Sequence, residues 1–327
     1  MEPIEPEYTN PETSSNSSHD GGISTLPKPI LMQDKKNWVR KSLISLLIYA
    51  VFFYLIFDQD LIYIAAVLVV LLIHEFGHFF AMKLFNYTNV KLFVLPLLGA
   101  YVTGKKSTIS QRQMSLVILA GPVPGIIIGF CLLMSTFYYP NERFEMLGNI
   151  FLFLNLFNLL PFMPLDGGRL LETLFINHNH TIRVIFTIIS IAILAILAIV
   201  TKSLIFLIIP VSMAFDLIME IKNQKIREYL SQENINYTTD YTDLPDKDYW
   251  TIRDCVLLSF NKRYTGVEAG VQKYSVLEGG IIQHVIAILK TPFIKDINVF
   301  GKIVIMLAYI LFLVVLPSCY FLMKILP

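Results

Sequence analysis

Seven long apolar blocks run through this chain, and they limit it to a fold in which most side chains face lipid. The blocks are residues 42–57, 62–85, 114–139, 147–166, 183–200, 203–219 and 302–323. Most of them reach the roughly 17–25 residues that an α-helix needs to cross about 30 Å of hydrocarbon. Only 16% of the residues are charged, whereas a soluble domain carries about 25%. The sequence therefore predicts an all-α, polytopic bundle of about six or seven transmembrane helices.

Charge and cysteine content exclude three other classes of protein. The formal net charge is +1, so the strong basicity typical of proteins that bind nucleic acid is missing. The three cysteines, Cys131, Cys255 and Cys319, lie far apart and form no CxxC pair. This spacing excludes a disulfide framework and a zinc site built on sulfur. The lipid bilayer is the first partner that we expect, and nucleic acid is not expected.

The distribution of polar residues predicts four segments and one small hairpin. Residues 1–34 are polar and rich in proline, and they are predicted to form a disordered tail because they cannot bury enough surface to offset their ordering entropy. Residues 35–220 hold the transmembrane core, residues 221–300 form a cytoplasmic region of unknown role, and residues 301–327 hold a C-terminal transmembrane helix. Within the core, Val90–Val102 alternates apolar and polar residues, which predicts a membrane-associated β-hairpin. Whether residues 221–300 bind a cytoplasmic partner is left open.

Lysine and arginine residues predict the orientation of the bundle. They concentrate before the first apolar block and after the second, fourth and sixth blocks. Because cytoplasmic loops carry the excess of these residues, we expect the N-terminus in the cytoplasm. By the same rule, the second and fourth blocks both end in the cytoplasmic leaflet.

The second apolar block contains the run HEFGH, which places His74, Glu75 and His78 within hydrocarbon. Side chains four residues apart lie on one face of a helix, about 6 Å apart along its axis, so the two imidazoles can bind one zinc ion. Glu75 can then reach a water molecule at the metal without being a ligand. The alternative is chance packing of polar residues in the bundle. A charged group inside hydrocarbon costs about 2.5 kcal/mol or more, which favours the metal site.

Asp166 is the predicted third ligand. A catalytic zinc ion has three protein ligands and one open position. The first, third and fourth blocks contain no acidic or basic residue before Asp166, which lies in the run NLLPFMPLDGG. The charge rule puts Asp166 in the same leaflet as His78. The alternative is that Asp166 is a turn residue before a glycine pair.

The run HEFGH, followed about ninety residues later by NLLPFMPLDGG, resembles the site-2 protease family of intramembrane zinc metalloproteases over roughly residues 42–220. The resemblance implies one Zn2+ ion held by His74, His78 and Asp166. It also implies Glu75 as the general base and Asn158 as the residue that holds the substrate carbonyl or oxyanion. The implied reaction is hydrolysis of a peptide bond within or near a transmembrane segment of a membrane protein or peptide. The implied location is a bacterial cytoplasmic membrane.

One motif departs from the family pattern, and Asn158 has a second possible role. The Gly-Pro-x-x-Asn motif frequent in the family has Gly125 in place of its asparagine. Asn158 can instead form an interhelical hydrogen bond, as can Asn155 one turn earlier.

Three other functions stay open: a catalytically silent membrane scaffold that keeps the zinc site, a zinc transporter, and a membrane zinc hydrolase of the prenyl-peptidase type. In such hydrolases the third ligand is usually a glutamate.

Overall fold

The computed structural model describes residues 8–9, 25–31, 60–95, 99–176, 179–202 and 204–325, together with isolated positions between 40 and 54. The chain divides into two compact units. The large unit consists of Asn37–Leu217 and Phe293–Pro327, and the small unit consists of Met1–Lys36 and Ile218–Pro292.

Helices dominate the described residues, which confirms the predicted helical class. They are α1 (Leu61–Leu84), α2 (Gln111–Ala120), α3 (Pro122–Ser135), α4 (Glu142–Asn158), α5 (Asp166–Leu171), α6 (His180–Val200), α7 (Ile208–Gln232), α8 (Asp246–Ser259), α9 (Glu278–Ile288), α10 (Val299–Ile310) and α11 (Leu316–Ile325). A π-helical segment, Glu172–Ile176, follows α5, and another, Leu311–Val315, joins α10 to α11. Short 3-10 turns lie at Leu204–Leu207 and Tyr241–Asp243.

Four helical stretches among the described residues are long and apolar enough to cross a membrane. They are Leu61–Leu84, Gln111–Ser135, His180–Val200 and Val299–Ile325. These stretches support an integral membrane protein with several spans. Most of the first predicted block, residues 42–57, lies outside the described residues, so the predicted number of spans stays a prediction.

In the described part of the chain, six short strands form three small sheets. The strands are β1 (Tyr8–Thr9), β2 (Ile30–Leu31), β3 (Thr88–Leu95), β4 (Gly99–Lys105), β5 (Ile109–Ser110) and β6 (Phe293–Ile294). Strands β3 and β4 pair in antiparallel fashion, with Leu92 opposite Val102, which confirms the hairpin predicted in this region. The hairpin packs against α1, the helix that carries both histidines. Strand β5 pairs with β6 in parallel, within the large unit.

The small unit has its own apolar core, formed by residues of α7, α8 and α9 and of the loops between them. Part of the predicted disordered tail belongs to this unit, because Leu26 and Leu31 pack against the core and β1 pairs with β2. The prediction of disorder is therefore wrong for residues 25–31. The prediction relied on the polar composition of the whole tail, which does not reveal that these two leucines contact an apolar core. The remaining tail residues, apart from 8–9, lie outside the described residues.

Candidate metal centre

The side chains of His74, His78 and Asp166 converge inside the large unit. The Nε2 atom of His74 lies 3.0 Å from Oδ2 of Asp166, and Nε2 of His78 lies 3.2 Å from the same oxygen. The two Nε2 atoms are 3.2 Å apart. All three residues are less than 10% exposed to solvent, at 6%, 9% and 7% in that order. The structure thus brings together the three predicted ligands from two separate helices.

The two histidines share one face of α1 because they are four residues apart in a continuous helix. Helix α1 begins after Asp60, whose side chain accepts a hydrogen bond from the backbone N–H of Ile62 at 3.3 Å. Such an N-cap satisfies one of the free N–H groups of the first turn. The helix then runs for 24 residues, so both imidazoles are carried by a regular element and not by a loop.

Asp166 reaches the site because the chain leaves the helical conformation before it. The fourth apolar block was expected to run to residue 166, but α4 ends at Asn158. Pro161 and Pro164 follow, and proline cannot continue a helix. Asp166 then begins the separate helix α5. The residue after it must be glycine, since a Cβ atom at Gly167 would lie 2.0 Å from the carbonyl oxygen of Leu159.

Hydrogen bonds on the far side of each imidazole determine which ring nitrogen carries the proton. Nδ1 of His78 lies 2.8 Å from the carbonyl oxygen of Val117, which can only accept. Nδ1 of His74 lies 2.8 Å from Oδ1 of Asn155, whose amide nitrogen donates to the carbonyl of Phe151 at 2.8 Å. The latter bond settles the orientation of the Asn155 amide. In the neutral form of each ring, Nδ1 therefore donates the hydrogen bond and the lone pair of Nε2 faces inward, as metal binding requires.

With both rings neutral, three acceptor atoms face each other, an arrangement that fits a bound cation. Among the described residues, Oδ2 of Asp166 is buried and has no hydrogen-bond donor. The separations of 3.0 to 3.2 Å are close to the distance of about 3.3 Å between neighbouring ligands of a tetrahedral zinc ion with bonds of about 2.0–2.1 Å. Two imidazole nitrogens and one carboxylate oxygen are also a donor set that suits zinc.

Glu75 follows His74 directly in α1 and is buried, with 6% of its surface exposed. Its Oε2 atom has no hydrogen-bond partner among the described residues. A buried carboxylate oxygen without a partner is rare in folded proteins and needs an explanation. A water molecule or a substrate group at the metal would supply the missing partner.

The two asparagines of α4 have different surroundings. Asn158 donates from Nδ2 to the carbonyl of Leu154 on its own helix, at 3.0 Å, and its predicted role toward a substrate stays a prediction. Asn155 is fully buried and contacts His74. The sequence allowed an interhelical hydrogen bond for Asn155 but could not identify its partner, because that partner lies on α1.

Gly125 makes room for this contact. A Cβ atom at Gly125 would lie 2.2 Å from Nδ2 of Asn155. The position where the resembled family often has an asparagine is therefore occupied here by the amide of Asn155, which comes from a different helix. This arrangement gives a physical reason for the departure from the motif.

Replacing Asn155 by leucine is expected to weaken zinc binding by about 10- to 100-fold, the usual effect of removing the hydrogen-bond partner of a ligating histidine. Leucine keeps the approximate volume but cannot hold Nδ1 of His74. Competition with a fluorescent chelator measures the affinity of the metal-free protein for zinc. Asn158→Leu is the matched control, since Asn158 bonds to its own helix. Equal zinc affinities of the two variants would contradict the assigned contact.

Comparison with known proteins finds a family match over the region that contains the HEFGH run. Residues 62–143, which include His74, Glu75 and His78, match the family described as Peptidase family M50. Stage IV sporulation protein FB of Bacillus subtilis is 34% identical over 114 residues, which are 33% of this chain and 38% of that protein. A zinc metalloprotease of Methanocaldococcus jannaschii is 33% identical over 107 residues, which are 31% of each chain. The aligned regions thus span only about a third of the length of these relatives.

Among solved structures, the site-2 protease from Methanocaldococcus jannaschii aligns with a TM-score of 0.42 and 22% identity. The alignment covers 54% of this chain and 86% of that chain. The family match and the two relatives confirm the resemblance that the two motifs indicated.

Proposed function

We propose that this chain, which carries a peptidase family M50 domain, is an intramembrane zinc metalloprotease that hydrolyses a peptide bond within or near a transmembrane segment of a membrane protein. The observation that carries the proposal is the buried cluster of His74, His78 and Asp166, with the unpartnered carboxylate of Glu75 on the same helix as the histidines. The relative from Methanocaldococcus jannaschii, whose name is zinc metalloprotease, supports it.

Each residue of the site has a distinct role in this reaction. His74, His78 and Asp166 would hold one zinc ion. When bound, zinc supplies a Lewis acid and lowers the pKa of water toward about 7. Glu75 takes a proton from the attacking water and gives it to the leaving amine. Asn158 binds the substrate carbonyl after it releases the carbonyl of Leu154.

The substrate must lose its helical structure before it can be cut. A transmembrane helix keeps its amide groups bonded internally, so its carbonyl groups are shielded from attack. The hairpin of β3 and β4 packs against α1 and forms a two-stranded sheet within the described residues. An unwound substrate strand can add to an edge of this sheet by backbone pairing.

Helix-breaking residues near the cut are therefore expected to speed cleavage. Two leucine-to-glycine changes beside the scissile bond weaken a helix by about 2 kcal/mol, which corresponds to at most about a 30-fold increase in rate. The measurement is the cleavage rate of a single-span peptide in liposomes, with the glycines placed either beside the bond or at the far end of the span. If leucines and glycines beside the bond gave equal rates, substrate unwinding would not limit cleavage.

Removal and return of zinc tests the proposed function. The purified protein is expected to contain about one zinc ion per chain and to cut a panel of transmembrane peptides in liposomes. Treatment with a chelator should stop cleavage, and added zinc should restore it.

One bound zinc without cleavage of any peptide would favour the catalytically silent scaffold. Zinc flux into sealed vesicles would favour the transporter, and cleavage restricted to prenylated peptides would favour a hydrolase of that type.

We place the protein in a bacterial cytoplasmic membrane with its N-terminus in the cytoplasm. The family resemblance supports the choice of membrane, and the distribution of lysine and arginine residues along the sequence supports the orientation. Labelling of a cysteine added near the N-terminus, in intact cells and in permeabilised cells, tests this orientation. Labelling that requires permeabilisation agrees with it, and labelling in intact cells contradicts it.

A further inference from the structure

A short proline-containing segment lies on the surface of the small unit. Residues 25–31 have the sequence TLPKPIL. Pro27 and Pro29 each have a fixed φ angle, and the residues before them, Leu26 and Lys28, are restricted to extended conformations by the proline that follows. The segment is thus stiff and extended before it meets any partner, and its carbonyl groups stay available for hydrogen bonds.

Three aromatic side chains donate hydrogen bonds to carbonyl oxygens of this segment. The bonds run from Trp250 Nε1 to Leu26, from Tyr274 Oη to Pro27, and from Tyr241 Oη to Pro29 at 2.8 Å. Aromatic grooves whose polar tips bind the carbonyl groups are the usual means of recognising proline-rich peptides. We call the surface formed by Tyr241, Trp250 and Tyr274 the aromatic groove.

Lys28 adds selectivity for a basic residue between the two prolines. Its ammonium group donates to the carbonyl oxygens of Tyr241 at 2.7 Å, of Thr242 at 2.9 Å, and of Leu244. Its backbone N–H donates to Oδ1 of Asp246 at 3.0 Å. The ammonium group also lies 5.3 Å from the centre of the Tyr241 ring, within the range of a cation–π contact. An acidic side chain cannot make the contacts of the ammonium group, and a neutral side chain cannot make the cation–π contact.

Bonds that do not involve the segment hold the groove in place. Trp250 is only 3% exposed, and its ring lies 5.4 Å from that of Tyr249 and 5.8 Å from that of Tyr274. The guanidinium of Arg253 lies 4.9 Å from the centre of the Trp250 ring, and this arginine pairs with Glu278 at 2.9 Å. Both charged residues are fully buried. A site built in advance loses little entropy when a peptide binds.

We propose that the small unit is a recognition module for proline-rich peptides with the pattern leucine-proline-basic-proline, and that residues 25–31 are its intramolecular ligand. Ile30 is 58% exposed and Pro27 is also exposed, so the segment lies against the unit as a peptide lies on a receptor. Its contacts are hydrogen bonds to its own backbone, those of the Lys28 ammonium group, and the apolar packing of Leu26 and Leu31. A peptide of the same pattern from another protein can reproduce all of them. Such a peptide binds by displacing the segment.

Binding of a labelled peptide to the full-length protein in detergent tests this proposal. The probe is a fluorescent peptide with the sequence of residues 24–33, STLPKPILMQ. The protein variants are Pro27→Ala with Pro29→Ala, and separately Lys28→Glu, each of which weakens the attached segment. We expect both variants to bind the peptide at least about 10-fold more tightly than the unchanged protein, because an attached competitor acts at millimolar effective concentration.

Two controls address the groove itself. Trp250→Phe, added to the Lys28→Glu variant, keeps the aromatic ring but loses the N–H donor, and should weaken binding by about 3- to 10-fold. A peptide with glutamate in place of its lysine should not bind. The chain has two tryptophans, so Trp38→Phe leaves Trp250 as the only source of tryptophan emission. Added peptide is expected to return the emission of Trp250 in the weakened variants to that of the unchanged protein.

The outcomes separate recognition from a purely structural role. If the segment only supported the fold, the variants would lose the native emission of Trp250 and added peptide would not restore it. That result would overturn the proposal. It would also be overturned if the unchanged protein and both variants bound the peptide equally, if none bound it, or if the glutamate peptide bound as well as the original.

Discussion

Replacing Glu75 by glutamine is expected to abolish peptide hydrolysis while zinc stays bound. The change keeps the size and the hydrogen-bonding oxygen of the side chain but removes the group that accepts a proton. General bases contribute about 10²- to 10⁴-fold to the rate, so we expect a loss of at least about 100-fold. The measurement is the rate of peptide cleavage in liposomes, together with the zinc content of the same preparation.

Glu145→Gln is the matched control for this experiment. Glu145 lies in the first turn of α4, and its exposed carboxylate pairs with Lys324 at 2.9 Å. An exposed ion pair contributes about 1 kcal/mol or less, so this variant should cleave at the rate of the unchanged protein. If Glu75→Gln retained more than about a tenth of that rate, another residue would be the base. An inactive variant with zinc also retains uncut substrate, which allows the substrate to be isolated and identified.

Replacing Asp166 by alanine is expected to remove the metal site. A directly coordinating ligand should matter more than its hydrogen-bond partners, whose loss costs about 10- to 100-fold in affinity. We therefore expect zinc affinity to fall by more than about 100-fold, and cleavage to be lost with it. Because zinc binds the folded protein and stabilises it by mass action, added zinc should raise the melting temperature of the unchanged protein but not that of the variant.

Asp216→Asn is the control for this second change. Asp216 is an exposed carboxyl group on α7, in the part of that helix assigned to the large unit, and it does not belong to the cluster of ligands. Its variant should bind zinc with unchanged affinity. Zinc affinity that is also unchanged in Asp166→Ala would show that the metal is held elsewhere, and the proposed function would lose the observation on which it depends.

Local patterns in the sequence were enough to predict the class of fold and much of the candidate site. The length of an apolar block decides whether it can cross the membrane, because backbone groups in hydrocarbon must be bonded within the segment itself. The four-residue spacing of His74 and His78 decides that both imidazoles share a face, because the helical repeat is a local property. The alternation in Val90–Val102 similarly predicted the hairpin that β3 and β4 form.

Contacts between distant parts of the chain could not be predicted in this way. The hydrogen bond from His74 joins residues 81 positions apart, and nothing near Asn155 in the sequence distinguishes it from Asn158. The docking of residues 25–31 on the aromatic groove depends equally on neighbours far away in sequence. Helical periodicity determines the direction of a side chain relative to its own helix. The packing of that helix against another helix or segment determines which atoms the side chain contacts.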